Sequence, residues 1–148
     1  MFKPKKILVP TDFSKHSDNA LSNASDIAEK YNSKIFLLHV IDNTVQQCAV
    51  DYCIPNEVME KFNTDSFISS RELMKNEVRN FAQDHAVEIE YDIKNGNPYE
   101  EIIKEQENKD IDLIVMGSHG KTGFIKHMMG GVAERVLRNA TSQVLMVK

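Results

Sequence analysis

Short apolar runs alternate with segments of helical period along almost the whole chain, and this alternation leaves few folds open. Lys6–Pro10 (KILVP) reads as a strand, and Thr11-Asp12-Phe13-Ser14 follows as a loop in which Ser14, or Ser17 beyond it, can cap a helix. Ala20, Ala24, Ile27, Ala28 and Tyr31 recur at helical spacing, and Asn32-Ser33 breaks the pattern. Residues 34–41 (KIFLLHVI) form a continuous apolar run, as expected of a strand buried on both faces. Residues 42–64 show no clear period and predict a long loop that can hold a helical turn. Met74, Val78, Phe81 and Ala82 mark a helix over residues 65–85, and residues 87–94 (VEIEYDIK) predict the third strand. Asn95-Gly96-Asn97-Pro98 is a turn into a proline-started helix, with Glu100 and Glu101 in its first turn and Tyr99, Ile102 and Ile103 inward. Residues 112–117 (DLIVMG) predict strand four. A helix over residues 131–139 has Val132, Ala133, Val136 and Leu137 inward, and Gln143–Val147 is the last strand. Strict β-α alternation implies a parallel sheet with helices on both faces. Ligands of such sheets bind beyond the carboxyl ends of the strands, where the strand order reverses. If the first and fourth strands are neighbours, the loops after Pro10 and Met116 meet there.

Composition narrows the class. A chain of 148 residues with 41% hydrophobic residues suits one domain with a real core, and 27% charged residues of mixed sign disfavour long disorder. A net charge of −4 argues against sequence-independent nucleic-acid binding. No apolar run approaches the roughly 20 residues of a membrane span, and the basic start lacks the roughly 7–15 apolar residues of a secretory signal. The expectation is a cytoplasmic protein with neither nucleic acid nor membrane as partner. Cys48 and Cys53, with four residues between them and no second Cys/His pair nearby, read as reduced loop thiols. A redox or metal-sensing role for that loop is the alternative.

The segment from Gly117 to Gly131 carries the chemistry. Gly117-Ser118-His119-Gly120-Lys121-Thr122-Gly123, then Gly130-Gly131 ahead of a helix, lets backbone N–H groups converge on an anion. The helix start adds free donors and partial positive charge. Gly120-Lys121-Thr122 imitates the end of a Walker loop, but Val115 stands where that motif needs glycine, and the helix does not follow directly. The G-x-G-x-x-G dinucleotide fingerprint is also absent after the first strand. A flexible glycine loop without a ligand remains open on the residues alone.

The opening ILVPTDFS, the Gly96 and Pro98 turn, the DLIVMGSHG strand and loop and the closing strand together resemble the universal stress protein family over essentially the whole length. ATP-binding members of that family carry G-x2-G-x9-G followed by Ser or Thr. Gly117, Gly120 and Gly130 match this spacing, and Gly131 stands where the family has the hydroxyl. The resemblance implies an α/β three-layer fold, flavodoxin-like or adenine-nucleotide alpha hydrolase-like, with a five-stranded parallel sheet of order 3-2-1-4-5. It implies ATP or a related adenine nucleotide, with Mg as accompanying ion, and a homodimer through Gln143–Val147. Carried onto matching positions, Pro10, Thr11 and Asp12 line the adenine and ribose end, and the backbone of Val40 contacts adenine. Met116, Gly117, His119 and Gly120 approach ribose and phosphates, while Gly130, Gly131 and Val132 hold phosphates through N–H groups.

Other polar residues are weaker candidates. Asp12 can accept a ribose hydroxyl, help place a metal ion, or simply cap the first helix. His119 and Lys121 can reach a phosphate, whereas His127 reads as a solvated helix-end residue and His39 as a satisfied or edge-facing histidine of its strand. Met128 and Met129 read as core fillers. No nucleophile, base and orienting group are spaced as a catalytic set, so efficient catalysis is not expected. The apolar edge of the last strand gives a physical reason for self-association. Three functions stay open: a nucleotide-binding stress-response protein, a dimeric interaction module that retains no nucleotide, and a slow ATP-hydrolysing enzyme.

Overall fold

The computed structural model describes residues 1–121 and 128–148. The elements follow one another as β1 (Lys6–Pro10), α1 (Lys15–Tyr31), β2 (Lys34–Asp42), α2 (Thr44–Asp51), α3 (Asn56–Asp84), β3 (Ile89–Gly96), α4 (Pro98–Lys109), β4 (Leu113–Gly117), α5 (Gly131–Asn139) and β5 (Gln143–Val147). The five strands are parallel and lie in the order β3-β2-β1-β4-β5, as the resemblance implies. The chain steps outward from β1 to β3, then returns to place β4 on the other side of β1. The order therefore reverses between β1 and β4, the position at which doubly wound sheets open a crevice.

The alternation of side chains along each strand builds two cores. Ile7, Val9, Ile35, Leu37, Leu113 and Val115 point to one face and pack under α1 and α3. Leu8, Phe36, Leu38, Ile114 and Met116 point to the other, under α4 and α5. Ser14 caps α1, its side chain accepting from the Ser17 N–H, and small Ala20, Ala24 and Ala28 let that helix lie close to the sheet. Asn97 caps α4 with Pro98 in its first turn.

The expected loop over residues 42–64 is instead α2 and the first part of α3, a helix of 29 residues. The reason is an inverted pattern. The stripe of α3 turned toward the body here carries Met59, Asn63, Ser66 and Ser70, mostly polar, while Val58, Phe62, Phe67 and Ile68 are exposed. Periodicity arguments read apolar residues as the inward face, so they find no helix in such a segment. Strand three runs two residues later than expected, because Asn95 and Gly96 pair with Ile41 and Asp42 before the chain turns. On α5, Ala133 and Val136 are buried as expected, but Val132 and Leu137 are exposed. That helix joins the core through Ala133 and Val136, near Ile114, Met116, Val144 and Met146 of β4 and β5, and buries only a narrow stripe. Met128 and Met129 are likewise exposed and do not fill the core, and Ala82 faces solvent.

The start of β5 is tied down by one buried side chain. Gln106 on α4 is 2% exposed. Its Oε1 accepts from the Thr141 and Ser142 N–H groups (3.2 Å each), and its Nε2 donates to Thr141 Oγ1 (2.7 Å). Replacing it with leucine strands these backbone donors, and unmet buried polar groups cost about 1–3 kcal/mol each. Gln106→Leu is expected to lose about 2 kcal/mol or more, read as a lower urea midpoint at unchanged slope. An unchanged midpoint would show that water replaces the clamp.

Candidate functional site

Two loops leave the carboxyl ends of β1 and β4 side by side, and one side chain joins them. Asp12 Oδ1 accepts from the Ser14 N–H (3.0 Å) within its own loop, and Oδ2 accepts from the Lys121 N–H (3.0 Å) in the other. Burial alone would raise the Asp12 carboxyl pKa, but the hydrogen bonds from Ser14 and Lys121 outweigh it and hold the group below the ordinary carboxylate range. Phe13, next in the chain, turns the loop through a left-handed conformation with φ 60°. Its N–H is held by Thr11 Oγ1 (3.1 Å), and its ring lies 4.4 Å from that of His39.

The glycine-rich loop is clamped by its own backbone. Ser118 N–H donates to the Val147 carbonyl, and the Ser118 carbonyl accepts from Gly130 N–H, both at 2.8 Å. The second contact sets the start of α5, whose cap residue, Gly130, has no side chain to cap it. The glycines have different jobs. A Cβ on Gly120 would lie 2.7 Å from Asp12 Oδ2, so this glycine permits the bridge between the loops. A Cβ on Gly117 would lie 3.0 Å from His16 Cβ and 3.1 Å from His16 backbone, so this one permits the close approach of α1. Around Gly131 a Cβ would meet nothing within 4 Å.

Between the loops and α5 lies an open cleft of about 300 Å³. All eleven residues singled out from the sequence line it: Pro10, Thr11, Asp12, Val40, Met116, Gly117, His119, Gly120, Gly130, Gly131 and Val132. Lys121 lines it too, its Nζ 5.9 Å from the centre of the Phe13 ring. The ring of His119 is engaged on the inner side. Its Nδ1 lies 2.9 Å from Ser118 Oγ, and its Nε2 is buried without a partner among the described residues, with the His16 ring 5.5 Å away. Thr122, Gly123 and His127 lie outside the described residues. Among the described residues no group of three or more His, Cys, Asp or Glu side chains could hold a metal ion. Cys48 and Cys53 are both free and exposed.

Sequence reasoning missed Asp42, Pro98 and Glu77. Asp42 and Pro98 line the cleft. Asp42 follows Val40 by two positions, which places both on one face of β2. Glu77 stands behind the cleft on α3, with both carboxylate oxygens 3.4 Å from Thr11 Oγ1. Its spacing from Met74 and Phe81 puts it on the inward stripe of the helix, the signal that could have found it. Thr11 itself is buried. Its hydroxyl reaches Ser17 Oγ (3.1 Å), and its carbonyl accepts from His39 Nδ1 (2.8 Å). His39 is thus satisfied within the fold, as expected, and burial pushes its pKa down. Burial, reinforced by the charges of Asp18 and Asp12, pushes the Glu77 carboxyl up to about 7.

The sheet order and the cleft at its reversal define a doubly wound α/β protein with an open cleft between β1 and β4. Over residues 3–148 the chain matches the universal stress protein family, and it belongs to that family. Universal stress protein MJ0577 of Methanocaldococcus jannaschii is 33% identical over 153 residues, spanning 97% of this chain and 94% of that protein. A solved structure of MJ0577 matches with a TM-score of 0.77 at 32% identity, covering 99% of this chain and 97% of the other. Two more distant structures share the fold. One is a universal stress protein in complex with cAMP (TM-score 0.67, 21% identity, coverage 99% and 98%). The other is the Archaeoglobus fulgidus protein in complex with dAMP (TM-score 0.59, 20% identity, coverage 99% and 100%).

Two outcomes test this geometry. Gly117→Ala should force α1 off β4 and cost about 1–3 kcal/mol, as overpacking does. Gly131→Ala, in open space, should leave thermal stability unchanged or slightly raised. Equal losses would contradict the assignment of Gly117 to helix packing. For Glu77, the folded pKa of about 7 lies above the ordinary 4.5. Its contribution is therefore full below the lower value and lost as pH rises through the upper one. Between about pH 5 and about pH 8, wild type should lose stability relative to Glu77→Gln. Parallel pH profiles would contradict the burial of an ionisable Glu77.

Proposed function

We propose that this protein is an adenine-nucleotide-binding member of its family, acting as a homodimeric stress-response or regulatory module and not as an efficient enzyme. One observation carries the reading: the amino end of α5, which starts at a glycine cap, opens through Gly131, Val132 and Ala133 onto the same cleft that Leu38, Val40 and Ile102 line with apolar surface. Free helix-start N–H groups suit phosphate oxygens, and a flat apolar slot suits a base. The cAMP and dAMP complexes of distant relatives support the choice of adenine nucleotides for this fold.

In this reading Pro10, Thr11 and Asp12 line the ribose and adenine end, and the backbone of Val40 meets adenine. Met116, Gly117, His119 and Gly120 follow ribose and phosphates, with Gly130, Gly131 and Val132 donating N–H groups to phosphate. Lys121 adds a cation at the mouth. Magnesium binds through few protein ligands plus phosphate oxygens. That suits a cleft in which the Asp12 oxygens are already engaged by Ser14 and Lys121. β5 has a single neighbour in the sheet, and Leu145 on it is 38% exposed. Its free edge is the proposed dimer contact, expected to show as twice the chain mass in sedimentation.

Isothermal titration with ATP and magnesium tests the proposal. Saturable heat with one site per chain is expected, and neither heat nor a thermal shift at millimolar ATP would sink it. Gly131→Ser restores the hydroxyl at a position with room for it. One charge-assisted hydrogen bond is worth about 1.5–3 kcal/mol, so ATP should bind roughly ten- to hundred-fold tighter. Unchanged affinity in a folded variant would place the phosphates elsewhere.

A further inference from the structure

We propose that Asp42 reads the base of the bound nucleotide, favouring bases with an exocyclic amino group over bases with a carbonyl at the same position. The inference rests on the nucleotide reading above and adds the determinant of base identity.

Asp42 ends β2, two residues after Val40 and four after Leu38. Side chains at this spacing share one face of a strand, and all three line the cleft. Leu38 and Val40 offer apolar surface for a planar ring, and Asp42 places a carboxylate beyond them. The other carboxylate of the cleft, Asp12, has both oxygens committed to backbone donors. Asp42 is committed at one oxygen only. Its Oδ1 accepts from the Thr44 N–H (2.9 Å) and from the Thr44 hydroxyl, and Oδ2 has no partner among the described residues. A carboxylate oxygen accepts and does not donate. An amino group on the base supplies the donor it lacks, whereas a carbonyl there sets lone pair against charge. With one oxygen free, Asp42 does not offer the paired acceptors that would grip the two-donor edge of guanine.

ATP and ITP differ in this group, amino against carbonyl, and at the adjacent ring nitrogen, an acceptor in ATP and an N–H in ITP, and they share ribose and triphosphate. Both are titrated, with magnesium, into wild type, Asp42→Asn and Asp42→Ala. Wild type should prefer ATP by about tenfold or more, the scale of one hydrogen bond to a charged group. Asparagine can keep Oδ1 on Thr44 while presenting an NH2 where Oδ2 stood, so Asp42→Asn should reverse the preference toward ITP. Asp42→Ala should bring the ratio near one. The same ATP-to-ITP ratio in all three proteins would overturn the role of Asp42 and leave the nucleotide reading standing. Absence of ATP binding to wild type would overturn both, and the two failures are distinguished by that first titration.

Discussion

The Asp12 carboxylate is the contact on which the cleft depends. β1 and β4 are held together by parallel pairing at Ile7 and Leu8 with Leu113 and Ile114, lower down the strands. Beyond the strand ends the two loops have separate paths. Asp12 closes that gap by taking one donor from each loop, and Gly120 has no Cβ because the carboxylate occupies that space. Ser118 completes the arrangement by fixing the glycine loop to the end of β5 and to the start of α5. The described parts of both loops are tied in place by these hydrogen bonds, which lowers the ordering cost of binding there.

This arrangement creates an electrostatic tension. If phosphate binds there as proposed, a cleft lined by two aspartates would repel it unless each acid were offset. Asp12 is offset by the N–H groups that hold it ionised, and Asp42 in part by the Thr44 donors. The positive contributions come from the α5 amino end and Lys121. The charges therefore sort the cleft into a positive end at α5 and an acceptor end at β2, an asymmetry that would suit the proposed ligand, with phosphates at one end and a base at the other.

Much of this was legible in the residues. The runs at Lys6–Pro10, residues 34–41 and residues 112–117 are apolar on both faces because both faces are covered, and such runs announce central parallel strands. Within the glycine spacing, close approach leaves no room for a side chain at Gly117 and Gly120, whereas a Cβ at Gly130 would make only ordinary contacts. Where contacts between distant segments decide, the residues were silent. The first half of α3 turns Asn63, Ser66 and Ser70 toward the body and leaves Val58 and Phe62 outside, so its pattern contradicts its structure. Glu77 is spaced like a core residue but carries a charge, and its meaning emerges only when Thr11, from the far end of the chain, is placed against it.

Amide hydrogen exchange with and without ATP and magnesium tests the central claim most directly, because it reports both binding and its place. Slower exchange at Gly120, Lys121, Gly131, Val132 and Ala133, with α3 unaffected, is the expected result. No change at millimolar ATP, or protection confined to the exposed apolar side of α3, would contradict the account.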